Sequence, residues 1–358
     1  MADTTVATAN KVQIWADKYF VEYVRGNRFK SYMGKANTSI IQVKEELTKE
    51  SGDRITMSLV GKLSGDGVTN DATLEGNEES AANFGHLITV NQLRNGVVVG
   101  EYEKIKTKID LLDAAKDLLK TWSMEKLRDL IIARLQSPST DGLTAYASVS
   151  EANRDAWVVA NNPTATNVRI LCGAALSNIA ADHSTGLGNI DGTADDLHQD
   201  IVTLGRRLAM NCDRHIRPAQ MGDDDAEVFV LFTGSRPFRD LEANMSTVWQ
   251  NAAPRSLESN PLFRPGDLII GNVIVREVPE IPVLTGVGAG GIDVAPSFLC
   301  GAQALGLAWA QRPTPRMDEF DYGNKRGVAI TEIRGCEKLT YDSKQHGVVT
   351  IYTSAVGD

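Results

Sequence analysis

Apolar and polar positions alternate in Ile55-Thr56-Met57-Ser58-Leu59, the period of a strand with one buried face. Two further runs, residues 86–94 and 97–102, read as strands. Asn95-Gly96 stands between them and predicts a tight hairpin, because both residues tolerate positive φ. Between the first strand and these two lies GKLSGDGVTNDATLEGNEES, too rich in Gly, Asn, Asp and Ser for a regular core element. The pattern then changes period. Residues 108–136 carry Leu111, Leu112, Ala115, Leu118, Leu119 and Trp122, continued by Leu127, Leu130, Ile131 and Leu135. This spacing predicts one helix, roughly 40 Å long, stopped at Ser137-Pro138.

The remainder mixes both periods. Val12, Trp15, Tyr19 and Tyr23 form a helical stripe inside an N-terminal arm, residues 1–36. Residues 194–212 predict a helix with Leu197, Ile201, Leu204 and Leu208 on one face. A strand over 227–232 leads to Ser235 as an N-cap, then to a helical stripe of Phe238, Leu241, Met245 and Trp249. Residues 268–270 and 273–278 flank Gly271-Asn272, a second hairpin signal. Strand-like runs follow at 327–333, 337–341 and 347–352. The sum is α+β, without the repeating βαβ of a nucleotide-binding sheet.

Composition narrows the function. The 358 residues suggest about two domains. The net charge of −9 argues against a nucleic-acid binder that works through bulk charge. Four isolated Cys do not make a disulfide scaffold. No apolar run reaches membrane-spanning length, and the opening MADTTVATANK has neither the basic start nor the apolar stretch of a signal peptide. A soluble protein of a reducing cytoplasm is expected, without membrane partners.

Candidate chemistry is sparse. Gly286 to Gly291 formally matches GxGxxG, but Pro296 follows where a phosphate-binding helix would open. Cys212 and His215, with His198 upstream, lack the paired spacing of a zinc site. Asp223-Asp224-Asp225 reads as a solvated acidic turn. His86, His183, His198, His215 and His346 stand apart from any nucleophile motif. No catalytic, cofactor or metal residues are assigned, and no enzyme activity is expected. What remains is architectural: an arm, an acidic loop and an overlong helix. These are costly to order in a monomer and make sense when copies cover one another.

Several stretches resemble the major capsid proteins of tailed phages with the Hong Kong 97 phage fold. They are residues 41–47, 52–55, 61–67, 71–79, 111–122, 260–263, 299–304, 320–324 and 335–339 with the strand 348–352. The resemblance implies parts: an N-arm at 1–36, an extended E-loop at 37–105 and a peripheral domain at 106–225 with its spine helix at 108–136. An axial domain would follow at 226–335, and 336–358 would return to the peripheral sheet. It implies hexamers and pentamers of this chain in an icosahedral head around double-stranded DNA, assembled in the host bacterial cytoplasm. A separate scaffolding protein, a portal and a decoration protein are the further expected partners. The loop residues expected at subunit contacts are Lys62, Asp66, Asp71, Glu75, Glu78 and Glu79. The same fold also builds encapsulin-like cargo compartments, which is the alternative. A soluble hydrolase with an acidic lid is a remote one.

Overall fold

A computed structural model describes residues 25–48, 52–63, 65, 67–70, 73–106, 110–138, 144–221, 227–245 and 267–357. The arm stripe at 12–23, Trp249, the acidic turn at 223–225 and the 260–263 match lie outside the described residues.

Strands and helices alternate along the chain without a fixed repeat. Short β1 (Met33–Gly34) and β2 (Ile41–Lys44) precede the hairpin strands β3 (Arg54–Val60) and β4 (Asn83–Thr89). Next come β5 (Asn91–Gly100), α1 (Glu101–Lys106) and the long α2 (Leu111–Gln136). The middle of the chain holds α3 (Glu151–Asn161), β6 (Ile170–Cys172), α4 (His183–Gly188), α5 (Gln199–Asn211) and β7 (Gln220–Met221). After β8 (Glu227–Thr233) come α6 (Ser235–Asn244), β9 (Asp267–Ile270), β10 (Val273–Glu277) and β11 (Val294–Cys300). The end is all strand: β12 (Leu305–Phe320), β13 (Lys325–Lys338), β14 (Thr340–Tyr341), β15 (Lys344–Gln345) and β16 (Val348–Ser354).

These elements form two compact units. The first combines Gln92–Leu127 with Gln311–Ile333, and the second combines Arg28–Asn91, Arg128–Ala310 and Arg334–Asp358. In the second unit a seven-stranded sheet has the path β6-β16-β11-β8-β10-β9, with β7 against β8. Both of its faces are covered, so its strands are continuous apolar runs rather than alternating ones. Val349 and Ile351 face a core with Ile201, Val202 and Leu208 of α5. Tyr352, next to Ile351 in sequence, faces Trp157 and Val158 of α3. Gly205 lets α5 approach closely, since a Cβ there would sit 2.8 Å from the Ile351 side chain.

One buried cation ties loops of this unit together. The Arg169 guanidinium donates to the backbone carbonyls of Gln345, His346, Asp213 and Arg214, and no carboxylate takes part in these four bonds. A second, Lys338, donates to the carbonyls of Leu135 and Ser137 at the end of α2. A positive charge there meets the negative end of the helix dipole. Burial pushes Lys338 down to about 7.

In the first unit β13 has two distinct faces. Val328 and Ile330 pack on Leu119 of α2, and Ser123 donates to the Glu332 carboxylate. Alternate residues Gly327, Ala329 and Thr331 point the other way.

Several expectations change. Asn95-Gly96 does not turn: both residues lie inside the single strand β5, with no positive φ. Gly96 instead serves close packing, since its Cβ would lie 3.2 Å from that of Ala329. Gly271-Asn272 does turn, with φ of 51° and 63°. Ser235 is not a cap; Gly234 takes that place and no side chain caps the helix. Leu118 is 49% exposed and leaves the α2 stripe. The runs at 327–333 and 337–341 are not separate, because β13 continues through Lys338. Residues 348–354 pair with β11 and β6, in the sheet that also holds β8.

Candidate functional site

The feature that stands out is the hairpin of β3 and β4. Its register runs from Arg54↔Thr89 to Val60↔Asn83, and Gly61 closes the ladder by donating to the Ala82 carbonyl at 2.7 Å. The alternation that predicted a half-buried strand decides which side is inward. Ile55 and Met57 are buried with Ile88, Ala308, Leu339 and Tyr341. Burying each such side chain contributes about 1.5–3 kcal/mol.

Polar contacts at the base are buried as well. His86 Nε2 lies 3.0 Å from Glu337 Oε2, with the two side chains 7% and 1% exposed. The other carboxylate oxygen accepts from the Thr89 backbone N–H at 3.0 Å. The other imidazole nitrogen, Nδ1, lies 3.1 Å from the Thr340 hydroxyl. All partners are satisfied, which makes the network a register lock rather than a stranded charge. Tyr341 donates from its hydroxyl to the Met57 carbonyl. At Gly335 any Cβ would overlap the Thr89 carbonyl oxygen, so the close seat of β4 requires glycine.

The tip is the opposite. Every described residue from 73 to 83 is exposed. Val60, Leu63 and Leu74 are 68%, 61% and 62% exposed, an apolar set that a monomer leaves in water. The loop is braced from within. Glu79 accepts from the Gly65 N–H at 2.7 Å, and Glu78 accepts from the Gly76 N–H at 2.8 Å. Gly67, Asn70 and Gly76 have positive φ of 72°, 56° and 87°.

Of the expected contact residues, Lys62, Glu75, Glu78 and Glu79 are exposed on this loop, and Asp66 and Asp71 lie outside the described residues. His86, Glu337, Thr340 and Gly335 were not singled out from sequence. Their signal was present: charges fall on both faces of Glu332 to Lys338, which a strand with a water-facing side would not show.

Groups that resemble catalytic candidates are inert. The four Cys are buried and free. Burial pushes Cys172 and Cys336 up to about 12 and also raises Cys212 and Cys300. His183 sits among the Tyr146, Trp157 and Tyr352 rings, and burial pushes it down to about 4. Glu151, Asp155 and Asp182 are the one described trio of carboxylates close enough to share an ion. Arg154 is paired with Glu151 beside them.

A family model described as phage capsid protein matches residues 3–357. The chain belongs to the phage capsid protein family. The major capsid protein of Pseudomonas phage KPP25 is 24% identical over 369 residues, spanning 97% of this chain and 96% of that one. The capsid asymmetric unit of cyanophage Pam1 is 38% identical with a TM-score of 0.91, covering 100% of both chains. The capsid of Ralstonia phage GP4 shares the fold at a TM-score of 0.75, 21% identity and 99% of each chain. The chain is thus a structural, self-assembling major capsid protein of the Hong Kong 97 phage fold, not an enzyme. These relatives disfavour the cargo-compartment alternative.

Proposed function

We propose that copies of this chain form hexamers and pentamers that close into an icosahedral head around double-stranded DNA. The observation that carries this reading is the contrast within one hairpin: a base locked by His86–Glu337 and a tip that presents Val60, Leu63 and Leu74 to solvent. A firmly held arm with an uncovered apolar end is suited to overlap a neighbouring subunit. Glu75, Glu78 and Glu79 give that tip a negative charge, so the neighbour's surface is basic and assembly weakens with salt. Lys62 lies at the edge of the same contact. The seven-stranded sheet takes the axial place at ring centres, and α2 with the long β12–β13 hairpin takes the peripheral place.

The net charge of −9 suits a container. A mildly acidic wall limits sticking while DNA enters, and counterions neutralise the phosphates. A separate scaffolding protein sets the curvature, a portal occupies one vertex and assembly takes place in the host cytoplasm. Negative-stain microscopy of the purified chain, with and without its scaffolding protein, tests the reading. Closed shells or rings of five and six subunits are the expected outcome, and a persistent monomer in both preparations would sink it.

A further inference from the structure

The far end of the β3–β4 ladder meets a residue from a distant part of the second unit. Phe84 pairs with Leu59, one step from the last pair, Val60↔Asn83. The Arg214 guanidinium lies over the Phe84 ring, 4.1 Å from its centroid. At strand rise the contact stands about 17 Å along β4 from Thr89, where Glu337 holds the base. The same guanidinium donates to the Tyr341 carbonyl and to the Asp342 carboxylate, each at 3.4 Å. Arg214 therefore touches both the hairpin and the β14–β15 turn, whose Tyr341 packs on Ile55 and Met57. Its backbone is held in a conformation few residues take. Arg214 has a φ of 55°, in the left-handed region where a Cβ is disfavoured. Such a conformation persists where the surroundings fix it. Here Arg169 donates to the carbonyls of Asp213 and Arg214 at 2.6 and 3.0 Å, and Asn167 accepts from the Asp213 N–H at 3.2 Å. Lys344 adds an ion pair to Asp213 at 3.6 Å from the turn itself. The Arg214 side chain leaves from a corner tied on several sides.

We infer that Arg214 is a positioning residue that sets the direction in which the β3–β4 hairpin leaves the body of its own subunit. A two-stranded ribbon twists readily and is marginal by itself, so a seat at one end leaves the other free to swing. A second support near the far end of the ladder removes that freedom. A planar guanidinium suits the task, because one face stacks on Phe84 while its edge donates to Tyr341 and Asp342. Arg169 needs only the main-chain carbonyl of residue 214, so the strut is a separate demand on that position. The consequence for assembly rests on the reading above: a tip aimed in advance loses less freedom when it meets a neighbour. The strut itself is a property of the lone subunit.

Spin–spin distances in unassembled full-length subunits test this. Nitroxides are carried on Val60→Cys at the end of β3 and Val159→Cys on α3, both exposed positions, while the four native thiols are buried. Arg214→Asn removes the guanidinium and leaves a residue that tolerates the left-handed region. It should widen the distance distribution roughly twofold, with a melting temperature within about 4 °C of the unaltered chain. Phe84→Leu should widen it to a similar extent, and the two together no more than either alone. Unchanged width overturns the inference, and so does additive widening. A melting temperature lowered beyond that margin makes Arg214 a residue of general stability and overturns it as well. If Arg214→Asn does not fold, Phe84→Leu decides alone by the same two readouts. In particle assembly Arg214→Asn should lower the yield about threefold. Unchanged yield beside widened distances overturns the consequence for assembly. Failure of the unaltered chain to form particles removes the assembly reading and leaves the spin-distance result standing.

Discussion

The base and the tip of the β3–β4 hairpin belong to one short stretch of chain and are opposite in physical design. At the base, apolar side chains and a carboxylate are both removed from water, and each polar atom of the Glu337 network has a partner. At the tip, leucines stay wet and two carboxylates brace turns with their own backbone. The base is therefore completed by the chain that carries it, and the tip is not. On the assembly proposed above, that division lets the arm hold its place while its tip awaits a neighbour.

The largest test breaks the base. Glu337→Ala leaves His86 and the Thr89 N–H without their acceptor and should cost about 3–5 kcal/mol. Chemical denaturation of unassembled subunits reads it as a lower midpoint. A loss below about 1 kcal/mol would mean that the network contributes nothing to the seat.

Acid should act on the core of the second unit and spare the tip. Folded His183 and His346 are both pushed by burial to about 4, below the usual 6.5. The unfolded chain then binds more protons between those values, so stability rises with pH across that window. It is fully present above about 6.5 and is lost as pH falls toward 4. The loss is on the order of 3 kcal/mol for the buried His183. His183→Gln should flatten the dependence of the melting temperature between pH 4 and 6.5; an unchanged slope contradicts the assignment.

Gly335→Ala should cost about 1–3 kcal/mol, because the new methyl meets the backbone at Thr89 and backbone cannot rotate away. Hydrogen exchange should speed up in β4 more than in β16. Uniform acceleration would show that Gly335 matters to the fold at large and not to this seat. The smallest effect belongs to the tip. Leu63→Ser with Leu74→Ser should change subunit stability by less than about 0.5 kcal/mol while reducing particle yield. A large stability loss would erase the contrast between base and tip.

Local signals were legible where the chain pairs with itself nearby. The alternation of Ile55, Met57 and Leu59 correctly placed β3, and Gly271-Asn272 correctly placed a turn. Asn95-Gly96 misled because the same dipeptide also suits close strand packing, and the partner that decides, Ala329, is more than 200 residues away. The same distance hides the base of the hairpin, since His86 and Glu337 are separated by 251 positions. The acidic loop was legible from composition.

Arg169 carries a consequence for sequence drift. Each of its four acceptors is a main-chain carbonyl, supplied by Asp213, Arg214, Gln345 and His346. Every amino acid has that carbonyl, so side chains can vary at all four places while the clasp remains. The burden of conservation falls on one residue and on the paths of two loops. Lineages descending from this chain should therefore keep the arginine long after its neighbours have become unrecognisable.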